Sequence, residues 1–172
     1  KDEPDCPHGP MTLDRLRPMI EGAIDPFVGA ARRLGLSPNG VSAISLALGI
    51  LAGVAFTLGP RRGMPELYLL GALAVAGNGW LDIVDGALAR ATDSQSAAGD
   101  LLDHVIDRYS DIVIIVGLAA GVGQFAIGLA AITGVLMTSY LGTQAQAVGL
   151  DRVYGGLVGR ADRLALVIAV TP

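Results

Sequence analysis

Cysteine, aromatic residues and charge are all scarce in this sequence. Cys6 is the single cysteine, which excludes an internal disulfide, and with His8 it makes only half of a zinc set for which no second pair exists. Charged residues are 16% of the chain and aromatics 5%, against 52% hydrophobic residues and a mean hydropathy of +0.55. A soluble domain needs more polar surface than that, so the apolar excess belongs in a bilayer. The net charge of −4 matters less than where the charges sit, for many of the acids cluster between Asp82 and Asp111, and no nucleic-acid partner is expected. No secretory signal is visible, because the first apolar run begins far from the N-terminus. Residues 1–11 read as a polar N-terminal segment, with Met11 a candidate natural start, and residues 12–172 as a single membrane domain.

What the chain does have is glycine, 24 residues of it, and long apolar runs. Small residues let membrane helices approach closely. Residues 12–35 place Leu13, Leu16, Ile20, Ile24, Phe27, Val28 and Ala31 at helical spacing, with Thr12 as N-cap and Gly35 as stop. Charged residues fill the other positions, which predicts an amphipathic helix lying in the membrane interface. Ser37-Pro38-Asn39-Gly40 is a turn and cap. Val41–Leu58 then runs 18 residues without a charge, the length a spanning helix needs. Gly59–Pro65 reads as a short loop. Further spans are expected over about Leu67–Leu81, running on into Asp82–Arg90, then from Gly99 to about Val122, and over Phe125–Val148. After the polar connection Leu150–Arg163, the run Leu164–Val170 is too short to cross a bilayer; the expectation is a fifth span cut short in the given sequence.

Arginine and lysine are distributed unevenly about these spans. With a cytoplasmic N-terminus, that side receives Lys1, Arg15, Arg17, Arg32, Arg33, Arg90, Arg152, Arg160 and Arg163, and the other side only Arg61 and Arg62.

Acids inside membrane spans are costly and so point to function. Asp82 and Asp85 are three apart and Asp103 and Asp107 four apart, so each pair shares a helix face at the junction of two successive spans. Carboxylates brought together repel unless cations neutralise them, and oxygen-only ligands favour magnesium, manganese or calcium. Two such ions suit displacement at phosphorus. Gly86, Ala87, Ala89 and Gly99 leave room for a ligand or a close helix approach, and Arg90 is a cation suited to a phosphate oxygen.

The run Asp82-x2-Asp85-Gly86-x2-Ala89-Arg90-x8-Gly99-x3-Asp103-x3-Asp107 resembles the complete signature of the CDP-alcohol phosphotransferase family, with every fixed position present at its spacing. The resemblance extends to the N-terminal helix, the Ser-Pro-Asn turn and Ser139-Tyr140. It implies an all-α fold of six membrane spans, homodimeric, with its active site open to the cytoplasm. It implies two divalent ions, Mg2+ or Mn2+, held by Asp82, Asp85, Asp103 and Asp107, with Asp107 also the general base. Gly86, Arg90 and Ser96 would hold the CDP group. The implied reaction moves a phosphoalcohol group from a CDP-linked lipid to the hydroxyl of a small polar acceptor and releases CMP, a step of phospholipid biosynthesis.

Other residues divide between structure and function. Asp111 reads as a hydrogen-bonded structural acid or a tuner of the site, Asp100 as facing away or bonding a neighbouring backbone, and Arg108 as the partner of an acid. His104, beside Asp103 in sequence, falls on another helix face. Gly49-x3-Gly53 and Gly117-x3-Gly121 read as packing motifs. Arg152, Arg160 and Arg163 are either membrane anchors or a pocket for an anionic acceptor. Relatives that use inositol phosphate carry an arginine shortly after the Ser-Tyr pair, where this chain has Gln144 and Gln146. Three alternatives compete. A cation transporter would want polar residues through the whole membrane depth, a prenyl-diphosphate enzyme would want an Asp-Asp-x-x-Asp run, and an inactive relative would want a broken signature.

Overall fold

A computed structural model describes residues 17–149, with side chains from Gly22 onward. Five helices follow one another: α1 (Arg17–Arg33), α2 (Pro38–Arg62), α3 (Pro65–Ala91), α4 (Ala97–Val122) and α5 (Phe125–Ala147). There is no strand among the described residues. Short turns make α2 to α5 run up, down, up and down. The start of α2, the end of α3, the start of α4 and the end of α5 therefore share one end of the bundle. The expected N-terminal cap at Thr12, the Leu150–Arg163 connection and the run Leu164–Val170 lie outside the described residues.

α1 buries Ile24, Val28 and Ala31, a stripe at i, i+4 and i+7, against Val84 and Leu88 of α3. Phe27 meets Trp80 edge to face at 5.2 Å, while Asp25, Arg32 and Arg33 stay exposed. Gly35 ends the helix at φ +68, and the Leu36 N–H reaches back to the Ala31 carbonyl, as the stop predicted there requires.

Ser37 caps α2 by accepting a hydrogen bond from the Gly40 N–H at 3.1 Å. α2 does not end at Leu58. The predicted Gly59–Pro65 loop is a correction: the helix continues through Pro60 to Arg62 and turns only at Gly63, φ +61. Proline lacks the N–H that the Phe56 carbonyl would otherwise receive. α4 accommodates the defect with Gly121, where a Cβ would fall on that carbonyl and on the Pro60 ring. The freed group is thus tucked against a glycine, not left to break the helix.

The same pairing runs down the whole α2–α4 seam. A Cβ on Gly53 would lie 2.6 Å from the Val113 carbonyl oxygen, and one on Gly117 would collide with the Gly53 backbone. Thr57 Oγ1 lies 2.8 Å from the Gly53 carbonyl and 3.3 Å from that of Gly117, bridging the two helices. Both glycine pairs named as packing motifs are thus spent on contacts within the chain. α3 closes on the pair through Gly71, where a Cβ would sit 2.5 Å from the Phe56 ring. A polar knot ties all three helices: Asn78 Nδ2 donates to the Ser45 carbonyl (2.8 Å) and Ser45 Oγ (2.9 Å), and Ser45 Oγ donates to the Asn78 carbonyl (3.0 Å). Ser110 Oγ of α4 completes it at 3.4 Å from the amide. Asn78 and Ser110 are fully buried, so their hydrogen bonds are made inside the bundle.

α2, α3 and α5 are each long and apolar enough to cross a membrane. The span expected over Gly99–Val122 is present as a 26-residue helix, but α4 is not among the three because it carries Asp100, Asp103, Asp107, Arg108 and Asp111. α5 touches the rest of the bundle at Gly128, packed on Ala119, and otherwise leaves Phe125, Ile127, Leu129 and Leu141 exposed.

Candidate active site

The site is built where the α3–α4 turn folds two acid-bearing helix ends back on each other. Asp93 takes a left-handed backbone, φ 50, which aspartate tolerates better than most side chains, and the Ser94 N–H closes α3 on the Ala89 carbonyl at 3.1 Å. Ser96 then caps α4, its Oγ accepting from the Gly99 N–H at 3.0 Å. The result brings Asp82 and Asp85 of α3 beside Asp103 of α4, with one carboxylate oxygen from each lying within 4.8 Å of the others. Asp85 is buried and the other two are half-buried. Asp107, one turn deeper on α4, is buried and lies outside this trio; its Oδ2 is 3.8 Å from Arg108 Nη2. Arg108 also pairs with buried Asp111 at 3.4 Å, so it is the partner of acids, as its position in the sequence suggests.

Three carboxylates this close, partly withdrawn from water, repel one another strongly. Their donor set is all hard oxygen, with no nitrogen or sulfur ligand in the group, which fits a divalent ion such as magnesium or manganese and not copper or zinc.

Beside the acids opens a cavity of about 240 Å³ lined by α2, α3, the turn and α4. Two residues named for the CDP group, Gly86 and Ser96, line it, with Asp85 and Asp103 at its wall. Arg90 is exposed, and its Nη1 would lie 3.5 Å from a Cβ on Gly86, so the guanidinium spans the face that glycine leaves open. Gly99 is similarly crowded: a Cβ there would sit 3.2 Å from Ser96 Oγ. Asp100 is a correction, for it lines the cavity instead of facing away; three residues before Asp103, it shares that helix face. His104 is exposed and is not part of the lining. Arg152, Arg160 and Arg163 lie outside the described residues.

Several lining residues carry no chemical reading in the sequence. Ser37, Asn39 and Ser42 come from the first turns of α2, and Ser94 and Gln95 from the connection. Ser42 donates to Asp85 Oδ2 at 2.6 Å across 43 residues of sequence. The signal for it is weak: a serine one turn into an apolar run, on the face that Ser45 continues.

The fold and the site define a helical protein of membrane type with an acid cluster suited to a divalent ion. The CDP-alcohol phosphatidyltransferase family matches residues 35–171, and the chain belongs to it. It is 33% identical over 158 residues to an archaetidylinositol phosphate synthase of Methanothermobacter thermautotrophicus, covering 91% of this chain and 75% of that one. The phosphatidylinositol phosphate synthase of Mycobacterium tuberculosis, solved in complex with manganese and citrate, superposes with a TM-score of 0.73 at 26% identity, over 86% of this chain and 71% of that one. The same enzyme with CDP-DAG bound gives a TM-score of 0.72 at 26% identity, over 86% of this chain and 74% of that one.

Proposed function

We propose that the protein transfers a phosphatidyl- or archaetidyl-type group from a CDP-linked lipid to a hydroxyl of a small polar acceptor, releasing CMP. The observation that carries this reading is the trio Asp82, Asp85 and Asp103, of which Asp85 and Asp103 line a cavity together with Gly86 and Ser96. Divalent ions held by these acids would supply charge neutralisation on the diphosphate. Gly86 keeps the cavity wall low enough for a diphosphate to approach backbone, and Arg90 offers charge-assisted hydrogen bonds to its oxygens. Asp107 takes the proton of the acceptor hydroxyl as that oxygen attacks the β-phosphorus, and also serves as a metal ligand. Arg108 beside it sets a cation against Asp107 and Asp111 and so offsets part of the repulsion among the acids of α4.

The relatives' names favour a phosphorylated inositol as acceptor, and Arg152, Arg160 and Arg163 are the cations proposed to read its phosphate. Gln144 and Gln146 stand at exposed positions near the end of α5 where inositol phosphate users carry an arginine, so glycerol phosphate belongs in the same test. The reading includes six spans, an interfacial α1, a homodimer and a site facing the cytoplasm; the amphipathic stripe of α1 and the arginine bias support the second and the last of these.

The test is CMP release by purified protein from CDP-diacylglycerol and CDP-archaeol, with inositol phosphate, glycerol phosphate, serine or inositol as acceptor. Release should require both an acceptor and Mg2+ or Mn2+, and chelation should abolish it. No release with any pair in the presence of metal would overturn the reading.

A further inference from the structure

Ser42 makes two contacts, one local and one between helices. A serine inside a helix usually bonds the carbonyl four residues back, and Ser42 Oγ does lie 3.1 Å from the Pro38 carbonyl. It lies closer, at 2.6 Å, to Asp85 Oδ2. One hydroxyl proton cannot serve both fully, and the contact to a carboxylate at this distance is the charge-assisted one. Ser42 and Asp85 are both buried, at 4% exposure each, so water competes little for their contact although both line the cavity. Asp85 has Asp82 and Asp103 as its other near neighbours, and repulsion from them would turn its carboxylate away. The hydroxyl from α2 opposes that rotation.

We propose that Ser42 is a positioning residue for the metal centre: its hydroxyl fixes the Asp85 carboxylate toward Asp82 and Asp103, and so ties the first turns of α2, which line the nucleotide cavity, to the ion site. The inference rests on the reading of these acids as metal ligands. Partners that orient a ligating carboxylate typically change metal affinity by about ten- to a hundredfold when removed. Ser45, one turn on, gives the contrast. It also joins α2 to α3, but its hydrogen bonds run to Asn78. If Ser42 were only such a link, the two serines would behave alike.

The experiment measures Mn2+ binding by the full chain in detergent, with no donor or acceptor lipid, from the electron paramagnetic resonance signal of free Mn2+. Ser42→Ala should weaken binding by about ten- to a hundredfold while Ser42→Thr restores most of it. Ser45→Ala should lower the melting temperature and leave the Mn2+ affinity of the folded protein in place. In an Asp85→Ala background the Ser42→Ala change should have no further effect, because the serine acts through that carboxylate. Unchanged affinity in a folded Ser42→Ala protein overturns the positioning role while leaving the metal reading standing. A wild-type chain with no saturable Mn2+ binding overturns both. If Ser42→Ala fails to fold, Ser42→Cys, close in size but a weak donor, carries the same comparison.

Discussion

The two ends of the α2–α3–α4 bundle solve opposite problems with the same three helices. At one end, Asp82, Asp85 and Asp103 crowd together beside a cavity that polar residues of α2 and the α3–α4 turn also line, and Ser42 of α2 bonds Asp85. Toward the other, Gly53, Gly117 and Gly121 let backbones touch, and Thr57 Oγ1 bridges the Gly53 and Gly117 carbonyls. The first end accumulates repulsion that a bound ion can relieve; the second gains by backbone contact, with Arg61 donating across it to the Ala120 carbonyl at 3.4 Å. Between them the knot of Ser45, Asn78 and Ser110 fixes the helices' relative height. Precision at the acids is therefore maintained by packing some way along the helices, where a shift of one helix would carry its acids out of register.

That contrast breaks most sharply at the acids. Asp103→Asn should remove several kcal/mol of transition-state stabilisation, roughly a thousandfold in turnover, with the melting temperature of the metal-free protein unchanged or raised. Asp107→Asn should cost about 10²–10⁴ in turnover while CDP-lipid binding stays measurable. Near-normal rates in either variant would remove that residue from the chemistry. The glycine seam should answer in stability instead. Gly117→Val forces side-chain atoms onto the Gly53 backbone and should destabilise by about 1–3 kcal/mol or more, seen as a lower melting temperature in detergent. Activity per folded molecule should fall as well if seam and acids are mechanically coupled, and remain intact if they are independent. The smallest effect belongs to the knot. Asn78→Ala should cost about 0.6–1.7 kcal/mol, the range for hydrogen bonds between membrane helices, with Mn2+ affinity within a few-fold of wild type.

Much of the site is legible in the sequence, because helical periodicity is local. Spacings of three and four residues put Asp82 with Asp85 and Asp103 with Asp107, and Ser37 before Pro38 marks where α2 begins. Sequence and structure part where a distant residue decides the outcome. Pro60 looks like a helix end on its own helix, and only Gly121, 61 positions on, shows how its freed carbonyl is accommodated. Asp100 reads as facing away or bonding a neighbouring backbone, and only the folded α3–α4 turn puts it at the cavity wall.

The chain by itself determined that helices would form, that they would sit in a bilayer, and which faces would carry acids. These follow from apolar run length, from the cost of membrane charges and from the 3.6-residue period, all properties of short stretches of sequence. Only the tertiary structure decided which acids converge, placing Asp85 beside Asp103 and Asp107 a turn deeper, and which serine of α2 reaches them. Those outcomes depend on how closely two helices approach and at what relative height. Glycine contacts and a buried amide set both between residues dozens of positions apart, and no local pattern encodes a distance of 2.6 Å across 43 residues.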